Sequence, residues 1–250
     1  MSKIILITGA TSGIGKACAH LFAEKKYRLI LCGRRAERLE TIKSQLCNIT
    51  EVQTLCFDVS DNGAVKNAIN TLSEGWKNID ILINNAGNAH GLASIQDGSI
   101  KDWDAMIDIN VKGLLYVSKA IIPVMVARRS GHIVNIGSIA GKEVYPNGNV
   151  YCASKHAVDA INKGMLIDLN KFGIKVSAIN PGLVETEFSV VRFKGDMERA
   201  NGVYQGYDPL QANDIAETIH FVISRPAHVN ISDLVILPTA QASATVLNRK

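Results

Sequence analysis

The chain has 250 residues, 47% of them hydrophobic and 20% charged, with 27 basic against 23 acidic side chains. That apolar fraction builds a sizeable core and excludes extensive disorder, and the length fits one large α/β domain or two small ones. The net charge of +4 comes with no basic run longer than Lys25-Lys26, Arg34-Arg35 or Arg128-Arg129, which excludes extended electrostatic binding of nucleic acid.

The first predicted strand is Ile4–Thr8, an unbroken apolar run that suits burial on both faces. A helix follows from about Gly13 to Lys25, with Ala17, Leu21 and Phe22 on one face. Next come a strand at Leu29–Cys32, a charged amphipathic helix at Ala36–Leu46, a strand at Val52–Phe57 and a helix at Ala64–Leu72. The strand Ile79–Ile83 runs into Asn84-Asn85-Ala86-Gly87. Past a polar loop, one long helix is predicted from Asp102 to about Arg128, then a strand at His132–Ile136. A second long helix covers Tyr151–Phe172, followed by a strand at Lys175–Ile179, a helix at Ala212–Ser224 and a seventh strand at Leu234–Leu237. Strands alternating with helices of this length give βαβ units, right-handed crossovers and a mostly parallel sheet. With no repeat or linker, residues 1–250 read as a single doubly wound domain.

Cysteines at 18, 32, 47, 56 and 152 form no C-x-x-C pair, so they read as packing or free thiols in a reducing compartment. The six histidines lack ligand spacing, so no metal is expected. Residues 1–8 carry one positive charge and too short an apolar run for a signal peptide, and no membrane-spanning apolar run occurs. The expectation is a soluble cytoplasmic protein with no membrane or nucleic-acid partner.

Between the first strand and helix stands Thr8-Gly9-Ala10-Thr11-Ser12-Gly13-Ile14-Gly15. Glycines let backbone amides approach a phosphate, and the helix behind offers free N–H groups. The G-x-x-x-G-x-G spacing is not that of a P-loop: Gly15 falls one position too late, and Ala17 replaces the Ser or Thr that would hold magnesium. The second strand ends in Gly33-Arg34-Arg35, where an acidic residue would take ribose hydroxyls. Two arginines suit a 2′-phosphate instead and point to NADP, unless they only solubilise the helix start.

Tyr151 and Lys155 lie at i and i+4 on one helix face. A free tyrosine has a pKa of about 10, and a nearby ammonium is expected to lower it toward use as a base. Alone, Y-x-x-x-K is usually a surface pair. Here Ser138 stands at the carboxyl end of the fifth strand, where it can hold a reacting oxygen. Asn110 falls inside a predicted helix, where asparagine is unfavourable and can disturb the backbone ladder, freeing a carbonyl for a water.

These motifs, in this order, resemble the short-chain dehydrogenase/reductase family along nearly the whole chain. The resemblance implies a Rossmann fold with strand order 3-2-1-4-5-6-7. It implies Tyr151 as acid/base, Ser138 orienting the substrate oxygen, Lys155 holding the nicotinamide ribose and Asn110 completing a water relay. It places the cofactor on Gly9, Thr11, Ser12, Gly13, Ile14 and Gly15, on Arg34 and Arg35, and on Asp58 and Val59 beside adenine. Asn85, Tyr151, Lys155, Pro181, Gly182, Val184 and Thr186 complete the cofactor set, with Thr186 on the carboxamide.

Stretches such as Thr186-Glu187-Phe188-Ser189 and Pro226-Ala227-His228-Val229-Asn230-Ile231 are similar to the NADP-dependent 3-hydroxy acid dehydrogenase group, whose members act on serine or L-allo-threonine and are typically homotetramers. The resemblance implies reversible oxidation of the 3-hydroxyl of serine, L-allo-threonine or 3-hydroxypropionate-like acids. The alternatives are a 3-oxoacyl-thioester reductase and a non-catalytic NADP-sensing protein; the C-terminal stretches argue against the first and the intact tetrad against the second. Residues 189–209 are polar and glycine-containing, a candidate lid. Arg192 in it is the candidate for the substrate carboxylate, alongside Ser138 and Tyr151, unless it is only a solvated lid arginine. Cys152 reads as packing and His90 as a loop residue. Leu114, Leu115, Met165 and Leu169 read as core or subunit contacts.

Overall fold

The computed structural model describes residues 2–250. All five residues of β1 (Ile4–Thr8) are buried, as its Ile-Ile-Leu-Ile run demands. Its side chains alternate: Ile5 and Ile7 join one core, Ile4 and Leu6 the other. Each fully buried Ile or Leu contributes about 1.5–3 kcal/mol. β1 pairs in parallel with β2 (Arg28–Gly33) and β4 (Ile81–Asn84). β3 (Val52–Cys56), β5 (Gly131–Ile136), β6 (Ile174–Pro181) and β9 (Asp233–Ile236) complete a seven-stranded parallel sheet, ordered β3-β2-β1-β4-β5-β6-β9.

One core lies under α1 (Gly13–Glu24), α2 (Ala36–Leu46) and α10 (Ala212–Ile223), with Phe22, Leu39 and Ile219 at its centre. The other lies under α3 (Asn62–Asn70), α6 (Leu114–Arg128) and α7 (Asn149–Asn170), with Val65, Val117, Ile121 and Leu169. The register puts Thr8 beside Cys32 and Asn84 beside Asn135, so the carboxyl ends of the strands share one edge. Strand order reverses between β1 and β4, which opens a crevice there.

The predicted helix from Asp102 is three segments: α5 (Ile100–Ile107), a π-helical stretch at Asp108–Gly113, and α6. Asn110 sits in the π-helical stretch, so the disturbed ladder expected of it takes the form of a wider turn. α3 begins earlier than the pattern suggests because Asp61 Oδ1 accepts from the amides of Gly63 and Ala64, at 2.8 and 3.0 Å. A one-turn helix, α4 (Glu74–Lys77), delays the next strand. Two-residue strands β7 (Val184–Glu185) and β8 (Leu210–Gln211) pair outside the main sheet, so the predicted seventh strand is ninth in the chain. The candidate lid contains α8 (Phe188–Arg192) and α9 (Met197–Gly202). The C-terminal tail folds over it: Arg249 donates to the carbonyls of Gly202, Val203 and Gln205.

Candidate active site

A cleft of about 560 Å³ runs along the carboxyl edge of the sheet. At one end the glycine loop turns through positive φ at Gly9 (+66°) and Gly13 (+49°). A Cβ on Gly15 would stand 2.4 Å from the Gly9 carbonyl, so only glycine lets α1 approach this closely. Asn85 Nδ2 fixes the loop by donating to the carbonyls of Thr8 (2.9 Å) and Gly9 (3.2 Å). Among the described residues no side chain caps α1 at Ser12 and no acid sits in its first turn. Its free amides and Ile14 face the cleft, a site that fits an anion.

Arg35 fits a phosphate here. Its Nε and Nη2 donate to Thr11 Oγ1 at 3.0 and 2.8 Å, and Nη2 to Ser12 Oγ at 2.8 Å. Arg34 points differently, pairing with Asp58 Oδ2 at 3.2 Å while largely exposed. Burial raises the Asp58 carboxyl, but the bonds from Ser60 and the charge of Arg34 outweigh it and hold the group below the usual range. Val59 lines the cleft and packs on Gly113, whose Cβ would meet it at 2.7 Å. At the other end Pro181, Gly182, Val184 and Thr186 form the wall. Gly182 has no room for a side chain because Gln241 Oε1, which accepts from Leu183 N at 2.9 Å, lies against it.

Tyr151 and Lys155 stand on the first turns of α7, both buried, and Ser138 follows β5. The Ser138 hydroxyl lies beside the Tyr151 phenol and donates to the Pro181 carbonyl at 3.5 Å. It also accepts from Ala140 N at 3.1 Å. Lys155 Nζ donates to the Ile136 carbonyl at 2.9 Å. Burial lowers its pKa from 10.5 to about 8. Tyr151 differs from the expectation: its phenol is raised, by burial first and then by Tyr145, while Ser138 and Arg192 pull it down. The Lys155 ammonium, turned to a backbone carbonyl, does not offset that burial.

Asn110 links the neighbouring segments. Its Oδ1 accepts from Asn88 N (2.8 Å), and its Nδ2 donates to the Asn88 carbonyl (2.9 Å) and Ser154 Oγ (3.0 Å). It thereby ties the loop after β4 to α7. Arg192 reaches in from α8. Its Nη2 donates to Tyr145 Oη at 2.8 Å, and its guanidinium lies 5.5 Å from the centre of the Tyr151 ring. Phe188 meets Tyr151 edge-on at 5.6 Å. His90 lies outside this cleft, against Asn88, and Cys152 is buried packing. Leu114 and Leu169 are core, whereas Leu115 is exposed.

The sequence reading missed Tyr145, Phe188, Tyr204 and Gln241 in the cleft wall, and Arg38 at its edge. For Tyr145, an aromatic midway between Ser138 and Tyr151, a signal existed; for Gln241 none did.

Residues 3–196 match the family model described as short chain dehydrogenase. The chain belongs to the short-chain dehydrogenase family. The chain is 43% identical to sulfoacetaldehyde reductase 2 of Chromohalobacter salexigens, over the whole of both chains. It is 43% identical to the NADP-dependent 3-hydroxy acid dehydrogenase YdfG of Salmonella typhi, over 96% of this chain and 97% of that one. Among solved structures, the closed form of a serine dehydrogenase complexed with NADP+ superposes with a TM-score of 0.93, at 42% identity over 99% of each chain.

Proposed function

We propose that this short-chain dehydrogenase uses NADP(H) to oxidise, reversibly, the 3-hydroxyl of short 3-hydroxy acids. One observation carries the reading: a guanidinium, Arg192, lies over the ring of the buried tyrosine that would exchange the proton. An acid whose carboxylate pairs with Arg192 presents its 3-hydroxyl to Tyr151 and Ser138. Tyr151 takes the hydroxyl proton in oxidation and returns it in reduction. Ser138 holds the reacting oxygen. Lys155 holds the ribose, and Asn110 keeps the β4 loop and α7 in register for a water relay. NADP, when bound, supplies the hydride acceptor.

At the far end Thr11, Ser12, Arg34 and Arg35 hold the 2′-phosphate, and the amides of Gly13, Ile14 and Gly15 hold the pyrophosphate. Gly9 and Asn85 keep that loop in shape, Asp58 and Val59 flank adenine, and Pro181, Gly182, Val184 and Thr186 flank nicotinamide. The likeness to YdfG and to the NADP+-complexed serine dehydrogenase supports this reading. A sulfonate is the second reading, because a guanidinium pairs with it as with a carboxylate and one full-length relative is a sulfoacetaldehyde reductase. Exposed Leu115 and Val124 on α6 and Ile167 on α7 support assembly, for which a homotetramer is our reading. The free thiols suit the cytoplasm.

The test is a panel of NADP(H)- and NAD(H)-linked rates on 3-hydroxy acids, sulfoacetaldehyde, a 3-oxoacyl thioester and simple alcohols. Turnover should favour the acids with NADP, and Tyr151→Phe should abolish it. Turnover of the thioester alone, or of no acid, would overturn the proposal.

A further inference from the structure

Glu187 follows Thr186 at the head of α8 but makes no capping bond to its own helix. It reaches across to α2 instead. Its Oε2 lies 3.0 Å from Arg35 Nη1, and its Oε1 lies 2.8 Å from Arg38 Nη1. Arg35 is the guanidinium that also rests on Thr11 and Ser12 of the glycine loop. Thr186 meanwhile lies against that loop, its methyl 3.2 Å from where a Cβ on Gly13 would stand. Residues 186–187 therefore cross over the glycine loop and are fastened on its far side by two ion pairs. The other end of α8 is fastened too. Gly91 N donates to the Arg192 carbonyl at 2.9 Å, and Lys194 pairs with Asp102 at 2.9 Å. The helix that carries Arg192 is thus pinned on both banks of the cleft.

Arg35 serves its two neighbours with different edges. Nη1 faces Glu187, while the Nε–Nη2 edge faces Thr11 and Ser12. The guanidinium fork can engage two groups at once in this way. A 2′-phosphate taken up beside Thr11 would leave the Glu187 edge intact, and Arg38 adds a second cation to the same carboxylate.

We propose that Glu187 is a positioning residue, a strap that couples the phosphate-side arginines to closure of α8 over cofactor and substrate. The inference rests on the cofactor and substrate reading given above. Fastened, the strap retains either nicotinamide dinucleotide, because it crosses the groove both share, and it holds Arg192 over Tyr151. The opposite possibility is that the Glu187 carboxylate merely occupies the place of the 2′-phosphate and competes with it. The two differ in sign.

The experiment compares wild type, Glu187→Gln, Arg38→Gln and the double variant. Stopped-flow fluorescence follows release of NADPH and of NADH, and steady-state rates follow a 3-hydroxy acid. For a strap, Glu187→Gln speeds release of both dinucleotides about three- to fivefold, the scale of half-exposed ion pairs. It raises KM for the acid with little change in kcat. Arg38→Gln gives part of the effect and adds nothing to Glu187→Gln, and all differences fade at ~1 M salt. Tighter NADPH binding with NADH unchanged, unaltered release of both, or additive effects would overturn the strap. Release is measured without substrate, so a wrong substrate assignment leaves it standing, whereas a wild type that binds no NADPH sinks both readings.

Discussion

Lys155 is 7% exposed, and its ammonium donates to the Ile136 carbonyl with no carboxylate beside it. Burial lowers its pKa from 10.5 to about 8. That fall means the folded protein carries the charge at neutral pH against a penalty of roughly 3 kcal/mol relative to the unfolded chain. Between pH 8 and 10.5 the unfolded chain binds more protons than the folded one, so stability rises with pH across that window. Lys155→Met removes the penalty but forfeits the charge-assisted bond to Ile136, worth about 1.5–3 kcal/mol. The net gain at pH 7 is roughly 0–1.5 kcal/mol, which raises Tm by roughly 0–5 °C in a chain of this size. The variant should be inactive. Calorimetry of both proteins at pH 7 and near pH 11.5 (~1 unit above the unfolded value) is the assay: the gain present at neutral pH should vanish where wild-type Lys155 is largely neutral in both states. A variant less stable than wild type at pH 7, by an amount that does not change with pH, would refute the reasoning.

Arg34→Asp sets a second carboxylate beside Asp58, and titration of cofactor fluorescence should show NADP affinity falling about tenfold or more while NAD gains in relative terms. Unchanged NADP affinity would remove Arg34 from the phosphate site. Arg192→Met keeps the apolar contact with Tyr151 but deletes a charged pair worth about 1.5–3 kcal/mol, so kcat/KM for 3-hydroxy acids should fall roughly 10- to 150-fold. Neutral alcohols should lose far less; equal losses would show that Arg192 does not hold the carboxylate. His132, buried on β5 and bonded to Ser177 of the neighbouring β6, has its pKa lowered to about 3 by burial. Stability should therefore fall as pH drops below 6.5, by roughly 2 kcal/mol at pH 5. Urea denaturation of His132→Leu should show a flatter acid limb than wild type, and an unchanged slope would refute the assignment.

The fold was legible because its signals are local. The Ile4–Thr8 run, the glycine loop and the Tyr151–Lys155 spacing each lie within one element and its flanking turn. Asn110 was legible as a conflict between residue type and helix, and the π-helical turn resolves that conflict. What escaped depends on contacts between distant segments. Arg38 reads as one more solvated charge on an amphipathic helix until Glu187 is brought beside it. Gln241 gains its place only when the tail folds back on Gly182. The effect of Lys155 on Tyr151 was misjudged for a related reason: spacing along a helix says which face a side chain leaves from, not which carbonyl its far end finds.

Arg192 has a second consequence, for the pH at which the protein works. Its guanidinium pulls down a Tyr151 phenol that burial has pushed up. A bound carboxylate neutralises that guanidinium, so with an acid in place the phenol loses part of the help. A neutral alcohol leaves Arg192 fully charged over the ring. Oxidation needs the phenolate, so its rate climbs with pH to a plateau set by the tyrosine in the ternary complex. The climb in kcat should accordingly centre at higher pH for a 3-hydroxy acid than for a neutral alcohol of similar size. In Arg192→Met both profiles should move up and stay apart, the acid's at the higher pH, because its carboxylate then stands unpaired near the phenol. Profiles of kcat against pH for the two substrates, in both proteins, decide the matter. Coincident profiles in the wild type would mean that Arg192 binds substrate without tuning the base, or does neither.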